Sequence, residues 1–311
     1  MTEFAILGPG GVGGFLAAAL ARAGESVLVV AREPTVEVIT RDGIEVRSVR
    51  LGDFTARPRA VPVLSYEVDV LLLATKATTL EAALERIETV PRLVVPLLNG
   101  LEHMELLRDR FGVARVAAGV IRVESTALSP GEIQQSSPFL RVDLASDDPQ
   151  RRPALERIAE RLEGAGVPAR VEASEAQVLW SKLVRLVALA CTTSASGQTI
   201  GYIRTDPHWR AALEAAIGEA AAVAGAAGAE VDPMAVLAEL DEAHAELGSS
   251  MQRDLAAGRE PELDAIAGAV LRAGRRHGLE CPTLERLSQE IAGRIRVSRA
   301  APSRAVAARK A

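Results

Sequence analysis

The chain has 311 residues, 48% hydrophobic and 25% charged, which excludes disorder over most of its length and, at roughly 100–200 residues per domain, suggests two domains. Its 36 basic and 41 acidic residues give a formal net charge of −5, which excludes a broad nucleic-acid surface. Two cysteines, Cys191 and Cys281, make neither a disulfide framework nor a zinc site alone, so no metal is expected and a reducing cytosol fits.

The first half alternates strand and helix signals. Phe4-Ala5-Ile6-Leu7 is a short apolar run that stops at Gly8; Val12 to Ala23 is rich in Ala and Leu and reads as a helix ending at Gly24. Ser26 to Val30, Val68 to Ala74 and Leu93 to Leu97 are continuous apolar runs, which suit strands buried on both faces. Thr79 to Val90 and Leu101 to Phe111 read as the helices between them, so a mostly parallel sheet covered by helices is predicted. From Arg115 to Ala145 the pattern changes: Ala117–Val123 and Phe139–Leu144 flank the turn Ser129-Pro130-Gly131, and an antiparallel extension of the sheet is expected. A helix over Pro153–Glu163 and a strand at Ala169–Val171 close this domain.

After Glu172 the strand signals nearly vanish. Ser174-Glu175-Ala176-Gln177 fits a capping box ahead of a helix reaching Leu189 or beyond. Asp206-Pro207 and Asp232-Pro233 each place a capping residue before proline, and Pro261 and Pro282 mark further helix starts. The fold class is therefore α/β: a Rossmann-type domain over residues 1–172 and an all-helical domain of five or six helices over 173–298. A basic tail over 299–311 reads as frayed. The acidic N-terminus lacks the basic region of a secretory signal. The most apolar stretch, Leu183–Ala195, is interrupted by Arg185 and too short to span a bilayer. A cytoplasmic protein with no membrane partner is expected.

Gly8-Pro9-Gly10-Gly11-Val12-Gly13 is a G-x-G-x-x-G that follows the first strand and opens the first helix, the context in which this motif binds dinucleotides. Gly8 permits the tight turn, Gly10 lets the backbone approach a pyrophosphate, and Gly13 lets helix and strand pack closely. Gly11 and Val12 complete the turn, whose unpaired N–H groups and partial positive charge suit phosphates. At the end of the second strand an acid would bind a ribose hydroxyl, whereas an arginine suits the 2′-phosphate of NADP. The sequence there reads Ala31-Arg32-Glu33, so NADP is expected; the alternative leaves Arg32 solvated and gives the ribose to Glu33. Lys76, at another strand end, can add positive charge beside the 2′-phosphate or the substrate. Only 3% of residues are aromatic, so few rings are available to stack on a nicotinamide.

Further segments complete one pattern: Leu97-Leu98-Asn99-Gly100, Trp180-Ser181-Lys182-Leu183, and Ser249-Ser250-Met251-Gln252-Arg253-Asp254 followed by Arg259-Glu260-Pro261-Glu262-Leu263-Asp264. With the glycine turn, they make the chain resemble the ketopantoate reductase (2-dehydropantoate 2-reductase) family over nearly its whole length. The resemblance implies NADPH-dependent reduction of a small-molecule 2-oxo acid, ketopantoate foremost, in a cytoplasmic homodimer. It implies Lys182 as the general acid, with Glu262 as a catalytic and substrate-binding carboxylate. Ser250 is implied as a substrate ligand, and Asn99 as a contact for substrate or nicotinamide. A lysine facing a cleft makes a better acid when partly desolvated. Glu262 follows Pro261 and is expected in a first helical turn, which favours its ionised form.

The family's catalytic helix carries asparagines four and eight residues after the lysine; here those positions are Leu186 and Ala190. Thr192 and Thr193 offer nearby hydroxyls instead. The departures leave two alternatives beside ketopantoate reduction: a less polar oxo acid or carbonyl substrate, or an NADP-binding regulatory protein without turnover. The histidines His103, His208, His244 and His277 show no metal-protease spacing.

Overall fold

The computed structural model describes residues 3–300 and divides the chain into two compact units with the boundary between Lys182 and Leu183. The boundary thus falls inside a helix, ten residues beyond the Glu172 at which strand signals cease.

The first unit runs β1 (Glu3–Leu7), α1 (Gly11–Arg22), β2 (Ser26–Val30), α2 (Glu33–Asp42), β3 (Ile44–Ser48), β4 (Phe54–Ala56), β5 (Arg59–Val61) and β6 (Val70–Leu73). It continues through α3 (Leu80–Leu84), β7 (Leu93–Pro96), α4 (His103–Phe111), β8 (Ala118–Arg122), β9 (Ser125–Ser129) and β10 (Glu132–Gln135). Then come β11 (Arg141–Ala145), α5 (Arg152–Gly164), β12 (Ala169–Glu172) and the opening turns of α6 (Glu175–Ser196).

Five strands form a wholly parallel sheet in the order β5-β2-β1-β6-β7. The apolar runs bury both faces: Phe4 and Ile6 join one core cluster, Ala5 and Leu7 the other. Strand order reverses about β1, with β2 on one side and β6 on the other. Such a switch point opens a crevice at the carboxyl ends of the strands.

The segment from Arg115 to Ala145 does not extend this sheet. Its hairpin β9–β10, turning through Gly131 at φ +78°, gives β10 as a parallel partner to β3, in a separate sheet ordered β4-β3-β10-β9. Strands β8 and β11 pair antiparallel in a third sheet with β12. A single parallel bridge, Val94 to Val116, links β7 to the start of that segment. The helix expected over Thr79–Val90 shortens to a 3-10 turn, Ala77–Thr79, and α3. Ile87 is drawn instead into a parallel bridge with Leu64, whose backbone bonds Arg86 and Glu88.

In the second unit α6 continues to Ser196, followed by α7 (Ile200–Thr205), α8 (Pro207–Ala226), α9 (Pro233–Glu242), α10 (Ser250–Ala256), α11 (Ala269–Arg276) and α12 (Pro282–Ala300). Among the described residues, seven α-helices from Glu175 onward exceed the expected five or six because α7 and α10 are too short to show a period. Asp206 caps α8 by accepting from the N–H groups of His208 and Trp209 at 3.0 Å, and Asp232 caps α9 through Met234 N–H at 2.8 Å. The carboxylate of Glu219 on α8 caps α12, accepting from Thr283 and Leu284 N–H at 2.8 and 2.9 Å. At 22 residues, α6 is by length and composition apolar enough to cross a membrane, longer than the apolar stretch suggested. Yet 72% of its most apolar window is buried within the protein, as in a core helix. The basic tail lies outside the described residues beyond Ala300.

Candidate active site

The glycine turn sits at the switch point. Gly8 leaves β1 at φ +90°, a conformation that favours glycine, and its N–H donates to Val30 O at 3.2 Å. A side chain at Gly8 would meet Thr75 Cγ2 at 2.7 Å. One at Gly13 would collide with the Gly8 carbonyl oxygen, so α1 can approach β1 only with glycine there. A Cβ at Gly10, by contrast, meets nothing within 4 Å, and the residue is exposed. Gly10 is also the N-cap of α1, and no side chain among the described residues caps its first-turn N–H groups, which are left to bind a ligand. Val12 is half-buried in the same turn. Gly11 faces elsewhere: a Cβ there would collide with Ser125 O of β9, and Ser125 Oγ donates to Gly11 O at 2.7 Å.

The sheet sets the remaining first-unit candidates along one edge. Arg32 follows β2, Gly8 follows β1, Thr75 and Lys76 follow β6, and Asn99 follows β7, so neighbouring members stand roughly 4.8 Å strand spacings apart. Arg32 is exposed, and its side chain has no partner among the described residues. Glu33, its rival for the ribose, is held by Arg86 Nη1 at 3.3 Å. Its own backbone N–H and then Arg86 keep the carboxyl below the ordinary range. Lys76 and Asn99 are both half-buried.

Two polar groups near this edge were not expected. Thr75 Oγ1 is buried without a hydrogen-bond partner. So are both ring nitrogens of His103, the first residue of α4, which is 6% exposed. Burial first, and then the positive charge of Lys182, push the His103 pKa from 6.5 down to about 4, so the ring is neutral at physiological pH. The sequence signal was faint: a histidine beside Met104, four residues after Asn99, in a helix whose apolar face is buried.

Lys182 is half-buried on α6 and closes the first unit. Ser174 Oγ accepts from Gln177 N–H at 3.3 Å and starts that helix, as the capping box predicted. One expectation changes in the second unit, that for Glu262. Ser249 is the N-cap of α10, accepting from Gln252 N–H at 3.0 Å, and Ser250 is the exposed first helical residue. Glu262 precedes the helix rather than entering its first turn, and its carbonyl accepts from Ile266 N–H at 3.0 Å. Its side chain is buried, and a π-turn over Asp264–Gly268 follows. Asp254 accepts from Arg259 Nε at 2.8 Å, which fastens the loop leading to Glu262.

The chain matches the family Ketopantoate reductase PanE/ApbA over residues 4–145 and the C-terminal part of the same family over residues 176–294. It belongs to the ketopantoate reductase family. A 2-dehydropantoate 2-reductase of Mycobacterium tuberculosis is 33% identical over 289 residues, covering 90% of this chain and 94% of that one. The solved 2-dehydropantoate 2-reductase of Geobacter metallireducens superimposes at a TM-score of 0.85 with 27% identity, covering 94% of this chain and 99% of that one. A D-mandelate dehydrogenase solved with NADH and anilino(oxo)acetate shares the fold at a TM-score of 0.88. It is 21% identical and covers 96% of this chain and 100% of that one. The protein is an oxidoreductase of the ketopantoate reductase family.

The α6 face beyond Lys182 is apolar at the two positions where the resemblance implies amides. Leu186 is half-buried and Ala190 fully buried, neither able to bond a substrate. Thr192 and Thr193 do not replace the amides. Both are buried, and their hydroxyls donate at 2.7 Å to the α6 carbonyls of Ala188 and Leu189. Thr193 also bonds Ser249 at 3.0 Å. Arg185 is paired with Glu239.

Proposed function

We propose that the protein reduces a 2-oxo acid to a 2-hydroxy acid with NADPH, with ketopantoate as the foremost substrate. The observation that carries this reading is the sheet edge: an open Gly10, an uncapped α1, an exposed unpaired Arg32 and a Glu33 already held by Arg86. These residues fit an NADP. Gly8, Gly10, Val12 and Gly13 would admit its pyrophosphate, and Arg32 with Lys76 would meet its 2′-phosphate. Gly11 belongs to that turn as well, although its Cα packs on β9. When bound, the nicotinamide supplies the hydride for the carbonyl carbon.

The chain's own residues do the rest. Lys182 donates the proton to the carbonyl oxygen as it gains charge, and its ammonium stabilises that charge beforehand. Asn99, at the end of β7, orients substrate or nicotinamide through its amide. Ser250 and Glu262 supply a hydroxyl and a carboxylate for the substrate. The exposed, non-capping Ser250 hydroxyl supports its part in this reading.

A second reading concerns the substrate alone. Leu186 stands one turn from Lys182, and apolar groups at 186 and 190 favour an oxo acid with an apolar side chain. NADPH consumption with a panel of 2-oxo acids separates the two. Turnover highest with ketopantoate supports the first reading. Turnover confined to apolar oxo acids replaces it with the second, and no turnover with any oxo acid overturns both.

A further inference from the structure

Buried polar groups are almost always hydrogen-bonded, so a buried imidazole with two unpartnered nitrogens calls for a role. The packing of α4 on α6 supplies one. Arg108, five residues along α4 from His103, bonds Glu175 at the start of α6, and Leu179 packs on the cluster that holds Met104 and Leu107. Going back along α4 from Arg108 to His103, and forward along α6 from Glu175 to Lys182, spans roughly 8 and 10 Å at the helical rise. The Arg108–Glu175 pair and Leu179 thus tie the two helices together within about two turns of the imidazole on one and of the ammonium on the other. Arg108 and Glu175 neutralise each other, β7 brings no charged residue, and Glu105, Asp109 and Arg110 on α4 are exposed. Glu102, next to the ring in sequence, and Lys182 remain, and it is the lysine's charge that acts on the ring.

We propose that His103 is a positioning residue for Lys182: its neutral imidazole accepts a hydrogen bond from the Lys182 ammonium, directly or through one water. The flexible four-carbon stem of lysine permits either arrangement. Ammonium can only donate, and neutral imidazole has one nitrogen that only accepts, so the pair is complementary. A ring that stays neutral around pH 7 fixes the direction in which Lys182 holds its protons. It is too weak a base to take up the catalytic proton itself. The inference rests on the reading of Lys182 as the general acid.

The test titrates the His103 ring by NMR in the full-length protein and in Lys182→Met. The ring is expected to titrate well below the ordinary histidine range in the native protein and to move upward in Lys182→Met. An unchanged titration overturns the proposal. In parallel, His103→Leu is expected to lower kcat roughly ten- to a hundredfold with little change in KM. It should also displace the alkaline limb of the pH–rate profile, and His103→Gln, which keeps an acceptor, should recover part of the loss. An unaltered kcat and limb in His103→Leu overturn the proposal. If that variant does not fold, His103→Gln and the Lys182→Met titration decide it. Loss of turnover in Lys182→Met without movement of the His103 titration refutes this contact and leaves Lys182 as the acid. Full turnover in Lys182→Met refutes both.

Discussion

Unfolding releases His103 into water, where its ring binds a proton near pH 6.5; in the fold it does so only near 4. Between those values the unfolded chain binds more protons, so stability rises with pH across the window and is lost as pH falls through it. The difference is worth about 3 kcal/mol. Denaturant melts at pH 7 and pH 4 are therefore expected to show native stability falling by about that much more than in His103→Phe. Equal losses would contradict the burial of a neutral ring. Arg32 gives a second prediction at this scale. Arg32→Ala removes a charge-assisted phosphate contact worth about 2 kcal/mol, so NADPH affinity should fall by more than tenfold while NADH affinity stays level. Calorimetric titration with each dinucleotide checks it, and a parallel loss of both would give Arg32 a merely structural part. At this scale, residue type and position in the chain made the left-handed turn at Gly8 and the close packing at Gly13 legible. The capture of Glu33 by Arg86, 53 residues away, and the burial of His103 depend on tertiary contacts that no local pattern encodes.

Helix α1 lies between two layers, and its glycines divide the work. Gly13 faces the Gly8 carbonyl, whereas Gly11 and Gly14 face the second sheet, where a Cβ at Gly14 would meet Ile133 Cδ1 at 2.7 Å. Gly13→Ala forces a methyl against backbone that cannot give way, so it should cost about 1–3 kcal/mol and abolish dinucleotide binding. Thermal melts with and without NADPH measure both effects, and a variant stabilised normally by NADPH would refute this packing. In the helical unit, Asp206→Ala removes the cap of α8 and should cost about 1 kcal/mol in a denaturant melt. Strands buried on both faces and helices with Asp-Pro starts were legible because each carries a local signal. Strands β3, β4 and β5 were not: they are short, and β3 alternates buried with exposed residues. Missing β3 hid the partner of β10, so the second sheet was read as an extension of the first.

Across the whole molecule, the chain is one Rossmann-type unit and one helical unit, each with its own share of the proposed chemistry. The helix α6 runs through the boundary between them, which is why a change from strand to helix signals did not mark it. Both cysteines are buried, and burial pushes the Cys191 thiol up to about 12. Thiol reagents should therefore leave the native protein unlabelled and react only after unfolding; rapid native labelling would contradict this burial. The oxidoreductase family was legible because its motifs are short and local. Substrate identity was less so, since Leu186 and Ala190 remove amides and the nearby threonine hydroxyls prove to be spent on the helix itself. The most direct measurement is steady-state NADPH oxidation driven by ketopantoate, in the native protein and in Lys182→Ala. The account predicts turnover in the native protein and a loss of at least about a hundredfold in the variant, with NADPH binding retained. Turnover by Lys182→Ala at the native rate would contradict it.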